Sequence, residues 1–136
     1  MQYKCATQLQ LNFYPAAFPG VISVGAIENK RTWDNQSGRL EDKYDLAYFS
    51  NYGDKSLSVL APGSDILSAL PASYIHLPPE AFEIIGVHLV KEEAYGFLSG
   101  TSMAAPMVTA AVAALRAHSP QLKNYEIKKM LDVFQP

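Results

Sequence analysis

Apolar residues along this chain come in short unbroken runs more often than in alternation with polar ones. "GVISVGAI" (residues 20–27) is nearly all apolar, rich in β-branched residues and bounded by turn formers. It is too short for a helix and reads as a strand buried on both faces, the kind found in parallel sheets. "LSVLAPG" (57–63) and "DILSAL" (65–70) read as further short strands, stopped by Pro62 with Gly63 and by Pro71. "YGFLS" (95–99) reads as another, broken by Gly100. From Ser102 to His118 the residues are mostly Ala, Val, Met and Leu, with Arg116 the single charge. That composition predicts a helix buried nearly all round, with alanines that let it lie close to a sheet. Pro106 is tolerable there because it is expected to fall in the first turn, where a backbone N–H has no intrahelical partner. In the last helix Ile127, Met130, Leu131 and Phe134 fall at i, i+3, i+4 and i+7, an amphipathic pattern that Asn124 can cap.

The segments between are less decided. Residues 28–45 are dense in charged side chains and predict a solvated surface loop. "LAYFSNYGD" (46–54) ends in turn chemistry at Asn51 and Gly53. Within residues 72–94, "PEAFEIIGVHLV" fits either a short helix opened by Pro79 or an irregular strand, and the helix is favoured. Strands alternating with helices around one fully buried helix predict an α/β fold.

Composition narrows the classes. The 136 residues suffice for one domain and not two. With 49% apolar and 18% charged residues, a buried core is feasible and disorder is disfavoured. Eleven basic against thirteen acidic residues leave a formal charge of −2, which argues against nucleic-acid binding. Cys5 is the sole cysteine, so neither an intrachain disulfide nor a thiolate metal cluster is expected. No apolar run approaches the ~20 residues of a membrane span. The first residues, "MQYKCATQLQ", contain no apolar core of a signal peptide. No internal repeat or low-complexity tract stands out.

The chemistry-bearing string is "YGFLSGTSMAAPM" (95–107). At Gly100–Ser102 a strand gives way to a helix, placing Ser102 at a helix N-terminus. Unpaired N–H groups point outward there and the helix dipole favours negative charge. Such a setting suits acyl transfer, in which an oxyanion forms beside the attacking oxygen. Glycine and alanine keep the approach open for a peptide. A helix N-cap is the competing role for Ser102, and on these three residues alone it prevails.

The longer string changes that balance. "SGTSMAAPMV" (99–108) resembles the nucleophile signature of the subtilisin-like serine proteases, the subtilases. "YPAAFPGVISVGAI" (14–27), "LAYFSNYG" (46–53), "VLAPGSDILSALP" (59–71) and "LKNYEIKKML" (122–131) resemble further blocks of that family, in family order. A lone G-x-S would be weak; an ordered set is specific. The resemblance implies a partial doubly wound subtilisin-like fold with a mostly parallel sheet and a buried nucleophile helix. It implies a single domain over residues 1–136, the C-terminal part of a subtilase catalytic domain, with an insertion at residues 72–94. Ser102 would be the nucleophile and its N–H an oxyanion donor. Thr101 would assist through its hydroxyl, Gly100 would give the substrate backbone room, and Met103 would line the site. No cofactor is required. A weak structural cation such as calcium would sit at the main-chain carbonyls of Ala16, Phe18 and Val21, although a plain structural turn is the stronger reading. The substrate would be a protein or peptide, and the family expectation for the parent protein is secretion or the cell surface. Met107 and Ala110 depart from the family's usual histidine and glycine; neither position is catalytic.

A serine needs a base, and the base an orienting acid. The family's order is Asp, His, Ser, with the histidine in an "HGTH"-like string, and no such string occurs here. His76 and His88 fall in the insertion and His118 closes a helix, so each reads as surface or structural. Asp34, Asp42 and Asp45 lie in the charged stretch and have no family counterpart. Asn12 stands too near Tyr14 to be the second oxyanion donor. Two readings follow. In one, the chain is the serine-bearing portion of an endopeptidase, inactive without an N-terminal half. In the other, it is a non-catalytic remnant or a peptide- or partner-binding module.

Overall fold

The computed structural model describes residues 14–51, 57–78, 80–82, 88–89 and 94–132. Cys5, Asn12, Gly53, Pro79 and Phe134 lie outside the described residues. The elements are β1 (Val24–Asp34), β2 (Arg39–Leu46), β3 (Val59–Pro62), β4 (Ile66–Ala69), a 3-10 helix (Ala72–His76), β5 (His88–Leu89), β6 (Tyr95–Leu98), α1 (Thr101–His118) and α2 (Asn124–Asp132). They form two small sheets, ordered β2-β1-β3 and β4-β6-β5. The parallel pairing expected of the apolar strands is that of β1 with β3; β1–β2, β4–β6 and β5–β6 are antiparallel. Sheet and helix together make an α/β fold.

The buried run of the sequence is the first part of β1. Val24, Ala26, Val59 and Ala61 alternate onto one face of the β1–β3 pair. Ala26, Val59 and Ala61 are buried there with Ala47, Ala104 and Val108 of α1, and Ile127 and Leu131 of α2. Polar groups tie the strands where they enter. The Ser58 N–H donates to Ser23 Oγ at 2.8 Å, and the Ser23 N–H donates to Ser58 Oγ at 3.2 Å, a reciprocal clasp that is itself buried. Ser50 Oγ accepts from the Ala26 N–H at 2.9 Å and donates to the Asn51 carbonyl at 3.0 Å.

Residues 28–45 are on the surface, but they are not a loop. They form the outer part of β1, a turn and β2, in register from Ile27↔Leu46 to Asp34↔Arg39. Asp34 builds the turn: its carboxylate accepts from the N–H of Gln36 at 3.0 Å and of Ser37 at 2.8 Å, and Gly38 takes a left-handed φ of 64°. Bonds from the Ser37 hydroxyl and then from these two N–H groups hold the Asp34 carboxyl below its usual range. Across the ladder Arg31 faces Asp42, with Nε 3.1 Å from Oδ1. Asn29 and then Arg31 pull the Asp42 carboxyl below its usual range. Lys30, bonded first by Glu28 at 2.8 Å, is raised. Both faces of this arm meet solvent, so the period-two alternation that marks a half-buried strand is absent.

Helix α1 is less covered than its composition predicts. Only Ala104 and Val108 are buried, with Val112 and Leu115 partly covered; Met107 is 43% exposed. The described residues supply a sheet on one side of this helix, so its apolar remainder faces outward. β1 has a matching open edge. Its ladder with β2 begins at Ile27, so among the described residues no strand lies beside Val24 and Gly25 on that side.

Asn124 does not cap α2 as expected. Its side chain bonds Arg116, and Glu126 instead reaches back to the Lys123 N–H at 2.7 Å, half of a capping box. In the ambiguous stretch, residues 80–82 are helical and His88–Leu89 pair with β6, so both helix and strand occur.

Candidate functional site

Ser102 stands just past the end of β6, in the first turn of α1, and is exposed. Its surroundings follow from a few close backbone approaches. The Gly63 N–H donates to the Ile27 carbonyl at 3.0 Å, and the Gly63 carbonyl accepts from the Gly100 N–H at 2.7 Å. Gly63 therefore links the end of the β1–β3 pair to the turn that carries the serine. The Asp65 N–H donates to Ser99 Oγ at 2.9 Å, fixing the residue before that turn.

Gly63 must lack a side chain. A Cβ there would stand 2.6 Å from the Ala26 Cβ and 2.9 Å from the Gly100 carbonyl oxygen. At Gly100 the space is open instead: a Cβ would meet Met103 Sδ at 3.7 Å and the Ser102 nitrogen at 3.8 Å, ordinary contacts. Thr101 and Met103 are half-buried on either side of the serine.

The N-cap of α1 is Gly100, with no side-chain cap bond, so Ser102 lies inside the helix as its second residue and is not the cap. The Gly100 carbonyl accepts from the N–H groups of Met103 at 3.0 Å and Ala104 at 3.4 Å. The N–H groups of Thr101 and Ser102 precede them and have no acceptor among the described residues. No acidic residue occupies the first turn, and Arg116 and His118 sit in the last. The positive end of an 18-residue helix is thus left for an incoming negative charge. Pro106 is the sixth residue of α1, beyond the first turn, and it removes the N–H that would otherwise bond the Ser102 carbonyl. The backbone at the serine is freed on both its donor and its acceptor side.

Neither His76 nor His118 is hydrogen-bonded to Ser102 among the described residues. His118 closes α1, about 24 Å away along the helix axis. His76 is exposed at the end of the 3-10 helix, and His88 pairs with Phe97 on β5. Asp34, Asp42 and Asp45 are engaged in the β1–β2 arm by the turn, by Asn29 and Arg31, and by Lys30 and Lys43. No group of three His, Cys, Asp or Glu side chains among the described residues could hold a metal ion.

The carbonyl set at Ala16, Phe18 and Val21 lies in the turn leading into β1. The Phe18 carbonyl accepts from the Val21 N–H at 3.1 Å. The Val21 carbonyl accepts from Lys128 Nζ at 2.8 Å, across 107 positions of sequence. An ammonium on one of the three oxygens is a poor neighbour for a cation, and the set does not fit one.

Two positioning residues were not legible from the sequence. Gly63 reads there as a strand stop; the only hint is that it follows a proline where a second turn former is redundant. Lys128 sits among other charges on an amphipathic helix and gives no signal.

The chain matches the subtilase family model over residues 7–132, and it belongs to that family. Fervidolysin of Fervidobacterium pennivorans is 36% identical over 126 residues, a match covering 88% of this chain and 15% of that protein. The major intracellular serine protease of Bacillus subtilis is 32% identical over 108 residues, covering 79% of this chain and 23% of that one. The crystal structure of fervidolysin, described as a keratinolytic enzyme related to subtilisin, superposes with a TM-score of 0.60 at 33% identity. That superposition covers 85% of this chain and 15% of fervidolysin. The chain thus spans less than a quarter of these relatives.

Proposed function

We propose that this chain is the serine-bearing portion of a subtilisin-like serine endopeptidase and that Ser102 is its nucleophile. The observation that supports this is an exposed serine in the first turn of α1, beside N–H groups with no intrahelical acceptor. In the reaction, Ser102 Oγ attacks the carbonyl carbon of a peptide bond and gives its proton to a base. The tetrahedral oxyanion takes the Ser102 N–H, assisted by the Thr101 hydroxyl. Collapse expels the amine, which leaves with the proton, and water then hydrolyses the ester on Ser102. Gly100 leaves room for the substrate backbone and Met103 lines the site behind the serine.

The base, its acid and a second oxyanion donor come from a segment outside the described residues. That segment packs against the open edge of β1 at Val24–Gly25 and the uncovered face of α1. The first offers backbone groups of a strand edge and the second apolar side chains, and both would otherwise meet water or another copy.

A non-catalytic reading, in which the fold binds a peptide or partner, draws on His76 and His118 standing apart from Ser102 among the described residues. One experiment separates the two. The chain is produced with and without the N-terminal half of a subtilase catalytic domain joined ahead of it, and hydrolysis of a protein substrate is followed. The proposal expects activity only in the joint product, abolished by Ser102→Ala. Inactivity of a folded joint product would favour the binding module.

A further inference from the structure

We propose that the ammonium of Lys128 does the work of a cation at the turn over residues 14–21, and that the chain holds no metal ion there. Two successive turn bonds shape this segment, from the Phe18 N–H to the Pro15 carbonyl and from the Val21 N–H to the Phe18 carbonyl, both 3.1 Å. The Tyr14 and Phe18 rings touch, with centroids 4.9 Å apart, and brace its outer side. The turn ends on an outward carbonyl at Val21, and Lys128 Nζ lies 2.8 Å from it.

The lysine is not free to wander. Its neighbour Ile127 is 1% exposed, and Leu131 one turn on is 8% exposed, so α2 is seated in the core and delivers Lys128 to one place. An ammonium is a compact, strongly hydrated point charge with three donors, the side chain most like a small metal cation in what it offers a carbonyl. It differs in being tethered, so it is present at any salt concentration. A second positive ion sharing the Val21 oxygen would be repelled at close range. The turn leads directly into β1, whose Ala26 lies under Gly63 and the serine turn. Lys128 therefore holds the entry to the strand on which the site is built.

The test reads unfolding, and so does not depend on Ser102 being catalytic. Thermal unfolding is followed for the wild-type chain, Lys128→Met, Lys128→Arg and the control Lys129→Met. Each is measured with chelator at low ionic strength, then with KCl, NaCl or CaCl2, and with tetramethylammonium chloride at matched ionic strength. Wild type, Lys128→Arg and Lys129→Met should respond to the small cations no more than to tetramethylammonium. Lys128→Met should melt about 4 °C lower in chelator, as loss of one charge-assisted bond implies for a domain of this size, and recover with a small cation. If Lys128→Met does not fold in chelator, folding restored by a small cation supports the proposal. Three results would overturn it: a small cation raising the wild-type midpoint above the tetramethylammonium value, Lys128→Met melting like wild type, or a loss that no cation restores.

Discussion

Replacing Gly63 with alanine perturbs the serine without touching it. The added methyl would lie 2.6 Å from the Ala26 Cβ, 2.9 Å from the Gly100 oxygen and 3.3 Å from the Ala104 Cβ. Carbon atoms rest near 3.5–4.0 Å, so something must move by about 1 Å. Two of the three obstacles are methyls fixed to backbone and the third is backbone itself, so no rotamer change relieves the contact. Gly63 does not have a left-handed φ, which leaves crowding as the whole cost. Overpacking of this kind costs about 1–3 kcal/mol. In urea, with a slope of ~2 kcal/mol per molar, the midpoint should fall by about 1 M. The shift falls on the Gly100 turn, and in the joint product that carries activity a displacement of ~1 Å at a reacting group costs about 10²-fold in rate. Ala26→Gly removes the nearest obstacle, so the double variant Ala26→Gly/Gly63→Ala should be more stable than the two single losses summed, with a coupling of at least ~0.5 kcal/mol. The midpoints are read at low, fixed protein concentration. A Gly63→Ala chain as stable as wild type, or strict additivity with Ala26→Gly, would refute this account of the junction.

Three further outcomes are expected. Ser58→Ala takes the buried Ser23 N–H and hydroxyl from their partner and should cost about 1–3 kcal/mol by denaturant unfolding, while the exposed Ser37→Ala should cost less. Asp34 and Asp42 have depressed folded values, so their contribution to the β1–β2 arm is whole above the unfolded pKa of about 3.9 and fades as pH falls through the lower folded values; Hα chemical shifts of the arm should move toward coil there, earlier in the weakened Asp42→Asn arm. Met107→Glu, on the uncovered face of α1, should raise the monomer fraction of the purified chain in analytical ultracentrifugation, and an unchanged distribution would mean that face is not where copies meet.

What the sequence disclosed is what rests on local chemistry. The strands at Val59, Ile66 and Tyr95 end where Pro62, Pro71 and Gly100 require, and α1 begins within a residue of its expected start. The serine's surroundings were legible because glycine, threonine and alanine at fixed offsets make one kind of turn. The charged arm was not, since pairing of two fully solvated strands leaves no hydrophobic period to read. The burial of α1 was overestimated for a different reason. Composition tells how much of a helix is fit to be buried, whereas the described residues cover one face of it. Gly63 and Lys128 act across long sequence separations, where only the folded backbone brings their partners near.

The most direct measurement is covalent labelling of Ser102 by a fluorophosphonate, located by peptide mass spectrometry. The chain alone should label no faster than its other serines, because a hydroxyl without a base keeps its weak nucleophilicity. The joint product with a supplied N-terminal half should label at Ser102, and lose the label in Ser102→Ala. Rapid labelling of Ser102 in the monomeric chain alone would contradict the account, since it would require a base among these residues. Absence of labelling in a folded, monodisperse joint product would contradict it from the other side, since Ser102 would then not be the nucleophile.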